Sequence, residues 1–225
     1  MTTHAVTLAL PFAGRWLVQN SPARRVPSHG TNLFGERYAI DFVGVDHGRR
    51  TADRHDWRTA LATEPPERFV GFGRPILAPA AGTVVTVHDG EVDHAARRSQ
   101  LALVPYMLGQ RGRLRDGANA IAGNHLVVAL PDGNFVALVH LRRGSLRVAV
   151  GDTVHVGQQL ALCGNSGNST QPHLHLQVMD HENLEIARGV PIEFLSFREW
   201  RRGATTPDER AVGVPVEGAV VAPLG

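Results

Sequence analysis

Short apolar runs alternate with turn residues through most of this sequence, and this pattern limits the fold more than any other feature. The runs are too short for most helices and end at Gly, Pro, Asn or Asp, which is typical of strands joined by turns. Pro131–Asn134, for example, separates two runs that can pair as a hairpin. The clearest strands are expected at Val6–Leu10, Tyr38–Val43, Thr83–His88, His125–Leu130, Phe135–Leu141 and Leu174–Met179. The pattern therefore predicts a mainly β fold, with an antiparallel sheet as its core and few short helices.

The length of the chain predicts one principal domain. Its 225 residues suffice for one sizeable core, and we assign residues 1–200 to a single domain. Two segments, His47–Gly73 and Glu91–Gly123, interrupt the strand pattern and are predicted as long inserted loops, which in compact domains tend to be functional or mobile. Residues 201–225 are rich in Gly, Pro, Ala and Val, and a C-terminal tail is predicted there, partly disordered or lying along the surface.

Composition argues against several classes of protein. The net charge is +2, from 23 basic and 21 acidic residues, so no nucleic-acid partner is indicated. No apolar run approaches the roughly 18 residues that a membrane-spanning helix needs. The apolar stretch Ala5–Ala13 is broken by Pro11 and has no basic residue before it, which matches a secretory signal poorly. Cys163 is the only cysteine, which excludes an internal disulfide and a Cys-based zinc site.

One pair among the 12 histidines stands apart because of its spacing. In His173-Leu174-His175 a single residue separates the two imidazoles, and side chains alternate faces along a strand, so both histidines point the same way. The turn-rich segment Gly164–Pro172 leads into this strand. Two ligand-capable groups then face one point, although two surface histidines on an alternating strand would give the same pattern.

The surroundings of this pair resemble the zinc endopeptidases of the lysostaphin and LytM type, peptidase family M23. Gly151–Gln158 reads Gly-Asp-x-Val-x-x-Gly-Gln, Gly164–Gly167 reads Gly-Asn-Ser-Gly, and the His-Leu-His strand follows, which is the order found in that family. Upstream, Ala78–Val84 is similar to the family's Ala-Pro-x-x-Gly-x-Val strand entry, and Val136–Leu141 is similar to its strand with a catalytic histidine. The resemblance covers roughly residues 28–180 and implies the fold of lysostaphin-type peptidases, a duplicated hybrid motif.

The resemblance implies a metal site of two histidines and one aspartate. His175 and Asp41 match the family's ligand positions, because Tyr38–Asp41 resembles its Tyr-Ala-Ile-Asp strand. Family members usually carry the first histidine as His-x-x-x-Asp, whereas His29 lies twelve residues before Asp41. A His-Gly turn followed by an Arg-Tyr-Ala-x-Asp strand is also found in a branch of these peptidases. We therefore predict that His29, Asp41 and His175 bind one Zn²⁺.

Zinc suits this set of donors. Two imidazole nitrogens and one carboxylate oxygen are ligands that it prefers, and three protein ligands leave the fourth position open for water, as a catalytic zinc requires. By the same resemblance, His140 and His173 flank the metal without binding it and act as general base and as donor to the developing oxyanion. The sequence leaves open which of them does which.

Other polar residues receive structural interpretations. Asn20 is interpreted as a turn former, and Cys163 as a buried small residue without an activating partner. Hydrogen-bonded or solvated structural roles are predicted for His47, His55, His88, His94, His125, His155 and His181. Of these, His47 and His55 are the first replacements should His29 not be a ligand.

Three other functions share some of these features. A lipoyl or biotin carrier also contains Gly-Asp-x-Val-x-x-Gly-Gln hairpins, but it needs a lysine, and every basic residue in this chain is arginine. A phosphocarrier of related topology uses histidines without a metal, but a His-Leu-His strand together with Asp41 favours zinc. A catalytically silent module that regulates or binds cell-wall hydrolases is the remaining alternative, and the presence of all the site residues argues against it.

The sequence thus predicts a zinc-dependent endopeptidase. The resemblance implies that it cuts stem peptides or crosslinks of bacterial peptidoglycan, commonly next to glycine or a D-amino acid. We expect one zinc per chain, a monomer, no nucleic-acid partner and no membrane span. A peptidoglycan substrate would place the protein in the cell envelope or outside the cell, and any other substrate would leave it in the cytoplasm.

Overall fold

Strands make up most of the regular structure in the computed structural model, which describes residues 4–53, 63–96 and 117–224. Helices in these ranges are short: an α-helix, α1, at Ala118–Ala122, and 3₁₀ helices at Leu33–Tyr38 and Pro66–Arg68. None of them has the length and apolar character to cross a bilayer. The strands are β1 (Val6–Leu8), β2 (Trp16–Gln19), β3 (Ile40–Gly44), β4 (Pro75–Leu77), β5 (Gly82–His88), β6 (Asn124–Ala129), β7 (Phe135–Leu141), β8 (Thr153–Val154), β9 (Gln159–Leu162), β10 (Leu174–Met179), β11 (Gly189–Val190), β12 (Ile192–Trp200), β13 (Asp208–Gly213) and β14 (Val220–Pro223).

Most of these strands belong to one large sheet. Along the sheet the order is β1-β12-β14-β2-β3-β10-β7-β6-β5-β8, with β11 beside β10 and β13 beside β12. Paired strands are antiparallel, except that β1 runs parallel to β12. Strands β4 and β9 pair separately in a small antiparallel sheet. The prediction of a mainly β fold with an antiparallel core is confirmed.

The strands expected from the sequence are present as β1, β3, β5, β6, β7 and β10, with small shifts at their ends. The turn Pro131–Asn134 joins β6 to β7, and the Leu130 N–H donates to the Asn134 carbonyl at 2.8 Å to close it. Parts of both predicted loops, residues 54–62 and 97–116, lie outside the described residues. The described parts of the two loops meet where Glu64 and Ala96 exchange backbone hydrogen bonds of 2.9 and 2.8 Å.

Alternation along β10 separates the hydrophobic core from the face that carries polar groups. The even-numbered residues of this strand, two leucines and a valine, belong to the main apolar cluster. The odd-numbered residues His175, Gln177 and Met179 face the other side of the sheet. There Met179 joins a smaller apolar cluster with residues such as Val139 and Leu184. Polar side chains on this second face are consequently buried between the sheet and the segments that cover it.

The C-terminal segment is part of the sheet, which differs from the predicted tail. After residue 200 the chain forms β13, antiparallel to β12, and then β14, which lies between β12 and β2. Val220 and Val221 of β14 are at most 2% exposed, and Val221 belongs to the main apolar cluster. The small apolar residues here therefore fill a buried strand, whose partners β2 and β12 are distant in sequence.

Removing two methyl groups from β14 tests whether this segment is integral to the folded unit. We expect Val221→Ala to lower the free energy of unfolding by about 2 kcal/mol, since it loses buried apolar area and leaves a cavity. Val212→Ala is the matched control, because Val212 on β13 is 46% exposed, and it should change stability by less than about 0.5 kcal/mol. Urea denaturation of both variants measures the difference. Two equally small effects would contradict the observed packing.

Candidate metal centre and active-site cleft

The five site residues predicted from the sequence lie together on one face of the central strands β3, β10 and β7. Asp41 of β3 is the direct cross-strand partner of His175 of β10, so their side chains are neighbours on the same face. His175 is also paired with Val139 of β7, and His140 is the next residue along that strand. The sheet register thus brings residues from distant parts of the sequence to one point.

A buried carboxylate lies at the centre of the group. The Asp41 Oδ1 is 3.0 Å from His175 Nδ1, and its Oδ2 is 3.2 Å from His29 Nε2. The candidate ligand atoms of these three residues all lie within 4.8 Å of one another. Asp41 and His175 are 6% and 5% exposed, so water screens their interaction weakly. The arrangement can hold a metal ion, since one oxygen and two nitrogens converge on a single volume.

A folded-back loop brings His29 to Asp41 in spite of their separation in sequence. The Ser28 N–H donates to the Arg37 carbonyl at 3.0 Å, which closes the loop at its base. Within the loop the 3₁₀ helix Leu33–Tyr38 is kinked at Phe34 and Gly35, where φ is 55° and 79°. A glycine is needed at 35, because a Cβ there would lie 2.8 Å from the Met179 Cγ.

Two further polar side chains contact the candidate ligands, and sequence reasoning missed both. Asn20, interpreted as a turn former, donates from Nδ2 to Asp41 Oδ2 at 2.7 Å. Gln177 lies two residues beyond His175 on the same face of β10, with its Oε1 2.9 Å from His175 Nε2. Continuing the alternation of His173 and His175 by one more step would have identified Gln177. The signal for Asn20 was absent from the sequence, because its contact depends on the pairing of β2 with β3.

His140 has a strained backbone that goes with an irregularity in its strand. The pairing of β6 with β7 changes register between Asn124 and Leu126, opposite this part of β7. His140 has φ of 62°, a left-handed conformation that is uncommon for a residue other than glycine. Its Nδ1 lies 2.9 Å from the Ser166 carbonyl oxygen, which can only accept a hydrogen bond. Nδ1 therefore carries the proton, and the lone pair is on Nε2.

His173 is oriented in the same way. Its Nδ1 lies 2.8 Å from the Gln171 carbonyl, which likewise requires the Nδ1–H tautomer in the neutral ring. Its Nε2 lies 3.6 Å from Asp41 Oδ1, beyond hydrogen-bond length. The rings of His140 and His173 are 4.7 Å apart, centre to centre. Both histidines thus have an Nε2 lone pair available for proton transfer in the same cleft.

The Gly164–Gly167 loop supports this pair of histidines. Ser166 donates from its hydroxyl to the Leu141 carbonyl at 2.9 Å while accepting from the Asn124 N–H at 3.0 Å. The Asn165 N–H donates to Asp93 Oδ1 at 2.7 Å. The Ser166 carbonyl that orients His140 is therefore fixed by contacts to three separate segments of the chain.

Burial and mutual charge set the protonation states in the cleft. Burial alone would raise the pKa of Asp41, but the charges of His29 and His173 and hydrogen bonds to the neighbouring histidines outweigh it and hold that pKa well below its usual value. Burial lowers the pKa of His140 well below the ordinary value and also lowers that of His173. Burial opposes the charged form of His175 as well, but its hydrogen bond to Asp41 raises its pKa to about 9. In the metal-free chain at neutral pH, Asp41 and His175 are thus ionised, whereas His140 and His173 are neutral.

A cavity of about 450 Å³ opens beside these groups. Leu33, Ile121 and Leu184 contribute an apolar wall, and Asn168 and Thr170 contribute polar groups near the histidines. A peptide could lie here with its backbone hydrogen-bonded and its side chains against the apolar wall.

The remaining histidines of the described residues lie away from the candidate ligands. His47 is exposed and does not line the cleft, and His55 lies outside the described residues. The rings of His88 and His125 stack at 5.3 Å, and the His94 Nε2 lies 2.8 Å from the Gly167 carbonyl. Cys163 is buried and not in a disulfide. Within the described part of the chain, His29 is the histidine that completes the cluster with Asp41 and His175.

Comparisons with known proteins agree with these motifs. Residues 110–186 match the family model for peptidase family M23. An uncharacterized metalloprotease of Haemophilus influenzae is 32% identical over 116 residues, which are 50% of this chain and 18% of that protein. An uncharacterized metalloprotease of Buchnera aphidicola is 33% identical over 63 residues, 28% of this chain and 16% of that protein. The chain therefore spans less than a fifth of the length of these relatives.

Among solved structures, the catalytic domain of the antimicrobial peptidase lysostaphin from Staphylococcus simulans aligns with a TM-score of 0.39 and 18% identity, over 79% of this chain and 88% of that one. The family-model match includes His140, the Gly-Asn-Ser-Gly loop, and the His-Leu-His segment that contains His173 and His175. Residues 110–186 are thus similar to peptidase family M23, and half of the chain is similar to a metalloprotease.

Proposed function

We propose that this protein is a zinc-dependent endopeptidase that hydrolyses stem peptides or crosslinks of bacterial peptidoglycan. The single observation that carries the proposal is the convergence of His29, Asp41 and His175 beside a peptide-sized cleft. The peptidoglycan substrate is inferred from the similarity to peptidase family M23. A catalytically silent module is less well supported, because it would not require the ligand cluster and two further oriented histidines in one cleft.

The candidate ligands suit zinc in type and spacing. Zinc ligands of this kind bind at about 2.1 Å in a tetrahedron, which separates neighbouring ligand atoms by about 3.4 Å. One candidate ligand atom from each of Asp41, His29 and His175 lies within 4.8 Å of the others, so adjustments of about 1 Å would reach that spacing. Three protein ligands leave a position for water, as in catalytic sites. Asn20 would keep the Asp41 Oδ2 oriented through its 2.7 Å hydrogen bond.

The chain's own residues would bind the peptide and move protons. When bound, zinc supplies a water of lowered pKa and polarises the scissile carbonyl. His140 and His173 are neutral at neutral pH because burial lowers the pKa of both, so the Nε2 of either can accept a proton from water. Once protonated, the same atom can donate to the oxyanion or to the leaving amine. The carbonyls of Ser166 and Gln171 stabilise the imidazolium form by accepting from Nδ1–H.

Metal analysis of ligand variants tests the ligand assignment. We expect about one zinc per chain in the purified wild type, and loss of that zinc in Asp41→Ala and His175→Ala because each removes one of three ligands. His88→Ala is the control, since His88 stacks on His125 away from the cluster and should retain the metal. Atomic emission measures the zinc content. A metal-free wild type that hydrolyses no cell-wall preparation would rule out the zinc-peptidase proposal.

Variants of the flanking histidines separate proton transfer from metal binding. His140→Ala and His173→Ala should keep zinc and lose peptidoglycan hydrolysis by about 10²- to 10⁴-fold, the usual contribution of general acid–base catalysis. Mass spectrometry of the released muropeptides gives the rate and the bond cut. Loss of zinc in either variant would show that a ligand has been assigned to the wrong histidine.

The pH dependence of metal binding follows from His175. Its pKa is raised to about 9 in the metal-free chain, so below that pH zinc must displace a proton from it. The pKa of Asp41 is lowered, so this carboxylate is already ionised and requires no such displacement. We expect zinc affinity to rise with pH, with about one proton released through His175 near neutral pH. Calorimetric titration in buffers of different ionisation enthalpy counts the protons, and a value of zero would contradict the raised pKa.

A further inference from the structure

Gln177 contacts a candidate metal ligand on the side away from the metal position. It lies two residues after His175 on the same face of β10 and is 2% exposed. Its Oε1 is 2.9 Å from His175 Nε2. The other ring nitrogen, His175 Nδ1, is 3.0 Å from Asp41 Oδ1. The His175 ring is thus held between an amide on one side and the ligand cluster on the other.

A second contact fixes the orientation of the Gln177 amide. Its Nε2 lies 2.6 Å from the carbonyl oxygen of Phe34, which can only accept a hydrogen bond. The amide NH₂ must therefore face Phe34, because the flipped amide would place two acceptor oxygens against each other. Oε1 then faces His175 and accepts from it. In the neutral ring, the proton of His175 consequently lies on Nε2, and the lone pair lies on Nδ1.

We propose that Gln177 is a positioning residue of the metal centre, which holds the His175 proton on Nε2 and directs the Nδ1 lone pair toward Asp41 and His29. This inference rests on the zinc site proposed above. Histidines that bind metals generally donate their other N–H to an outer acceptor, which fixes the tautomer and the ring orientation. A neutral amide suits this purpose here, since it accepts the hydrogen bond without adding charge to a cleft that already contains Asp41.

The same amide connects His175 to the loop that carries His29. Phe34 and Gly35 lie in the loop between His29 and Asp41, and both have positive φ. A Cβ at Gly35 would lie 2.9 Å from the Gln177 Nε2, so the loop backbone reaches the amide only because residue 35 is glycine. Gln177 therefore contacts both the ring of one candidate ligand and the loop that joins the other two.

A purely structural role of Gln177 would affect the stability of the protein but not its affinity for zinc. A buried amide is costly unless its donor and acceptor are both paired, and both are paired here. If Gln177 served only packing, its replacement by an apolar residue of similar size would change stability and leave metal affinity alone. If it orients His175, the replacement should weaken zinc binding beyond any effect on folding.

Zinc affinity of two variants distinguishes these roles. Gln177→Leu removes the acceptor for His175 and should raise the zinc Kd by about 10- to 100-fold in chelator competition, the usual effect of losing an outer-shell partner. Met179→Leu is the matched control, because Met179 is buried on the same face and its loss removes only a 2.9 Å sulfur contact of Gln177 Nε2, leaving the contacts of Gln177 with His175 and Phe34 in place. It should bind zinc as the wild type does. Unchanged affinity in Gln177→Leu, or equal weakening in both variants, would overturn the proposal.

Nuclear magnetic resonance of the zinc-loaded wild type supplies a test that does not depend on the variants folding. Long-range ¹H–¹⁵N spectra of the histidine rings should place the remaining His175 proton on Nε2, with zinc on Nδ1. Zinc on Nε2 would overturn the role of Gln177. The two proposals fail differently: a wild type that binds no zinc contradicts the metal centre itself, whereas zinc binding that is indifferent to Gln177 contradicts only the positioning role.

Discussion

The carboxylate of Asp41 is buried in the sheet, and much of the cleft is arranged around the need to stabilise it. A buried negative charge is costly unless it is paired and hydrogen-bonded. Here His175 and His29 lie against separate oxygens, and Asn20 donates to one of them. The same pairing that holds the pKa of Asp41 low raises that of His175 to about 9. In the absence of metal, the proton on His175 compensates the carboxylate, and a divalent cation would replace that proton at the same position.

The scaffold explains why this centre can be held accurately. Three adjacent strands in fixed register hold Asp41, His175 and Val139, the residue before His140. Backbone hydrogen bonds between these strands therefore determine how far apart the residues lie. His29 and the supports of His140 come from loops, and these loops are closed by hydrogen bonds of their own. The strained backbone of His140 lies next to an irregularity in the sheet, which is common where a strand must aim a side chain into a site. Asp41 and His175 thus lie on paired strands, and hydrogen-bonded loops supply His29 and the residues that orient His140.

Local patterns predicted much of this arrangement, and long-range pairing accounts for what they missed. The alternation of side chains identified β10 and the shared face of His173 and His175, because a period of two can be recognised from neighbouring residues alone. The approach of His29 to Asp41 could be inferred only through family resemblance, because it depends on how a loop folds back. The strand β14 resembled a tail, because its burial comes from partners far away in the sequence. Asn20 was missed for the same reason, whereas Gln177 could have been found from alternation alone.

In the proposed metal centre, His29, Asp41 and His175 together bind one zinc ion, and His140 and His173 lie beside it without binding it. Anomalous diffraction at the zinc edge from crystals of the metal-loaded protein tests it most directly. We expect a single peak within bonding distance of His29 Nε2, an Asp41 carboxylate oxygen and His175 Nδ1, with a fourth ligand that is not from the protein. A peak bonded to His140 or His173, or no peak at this cluster, would contradict it.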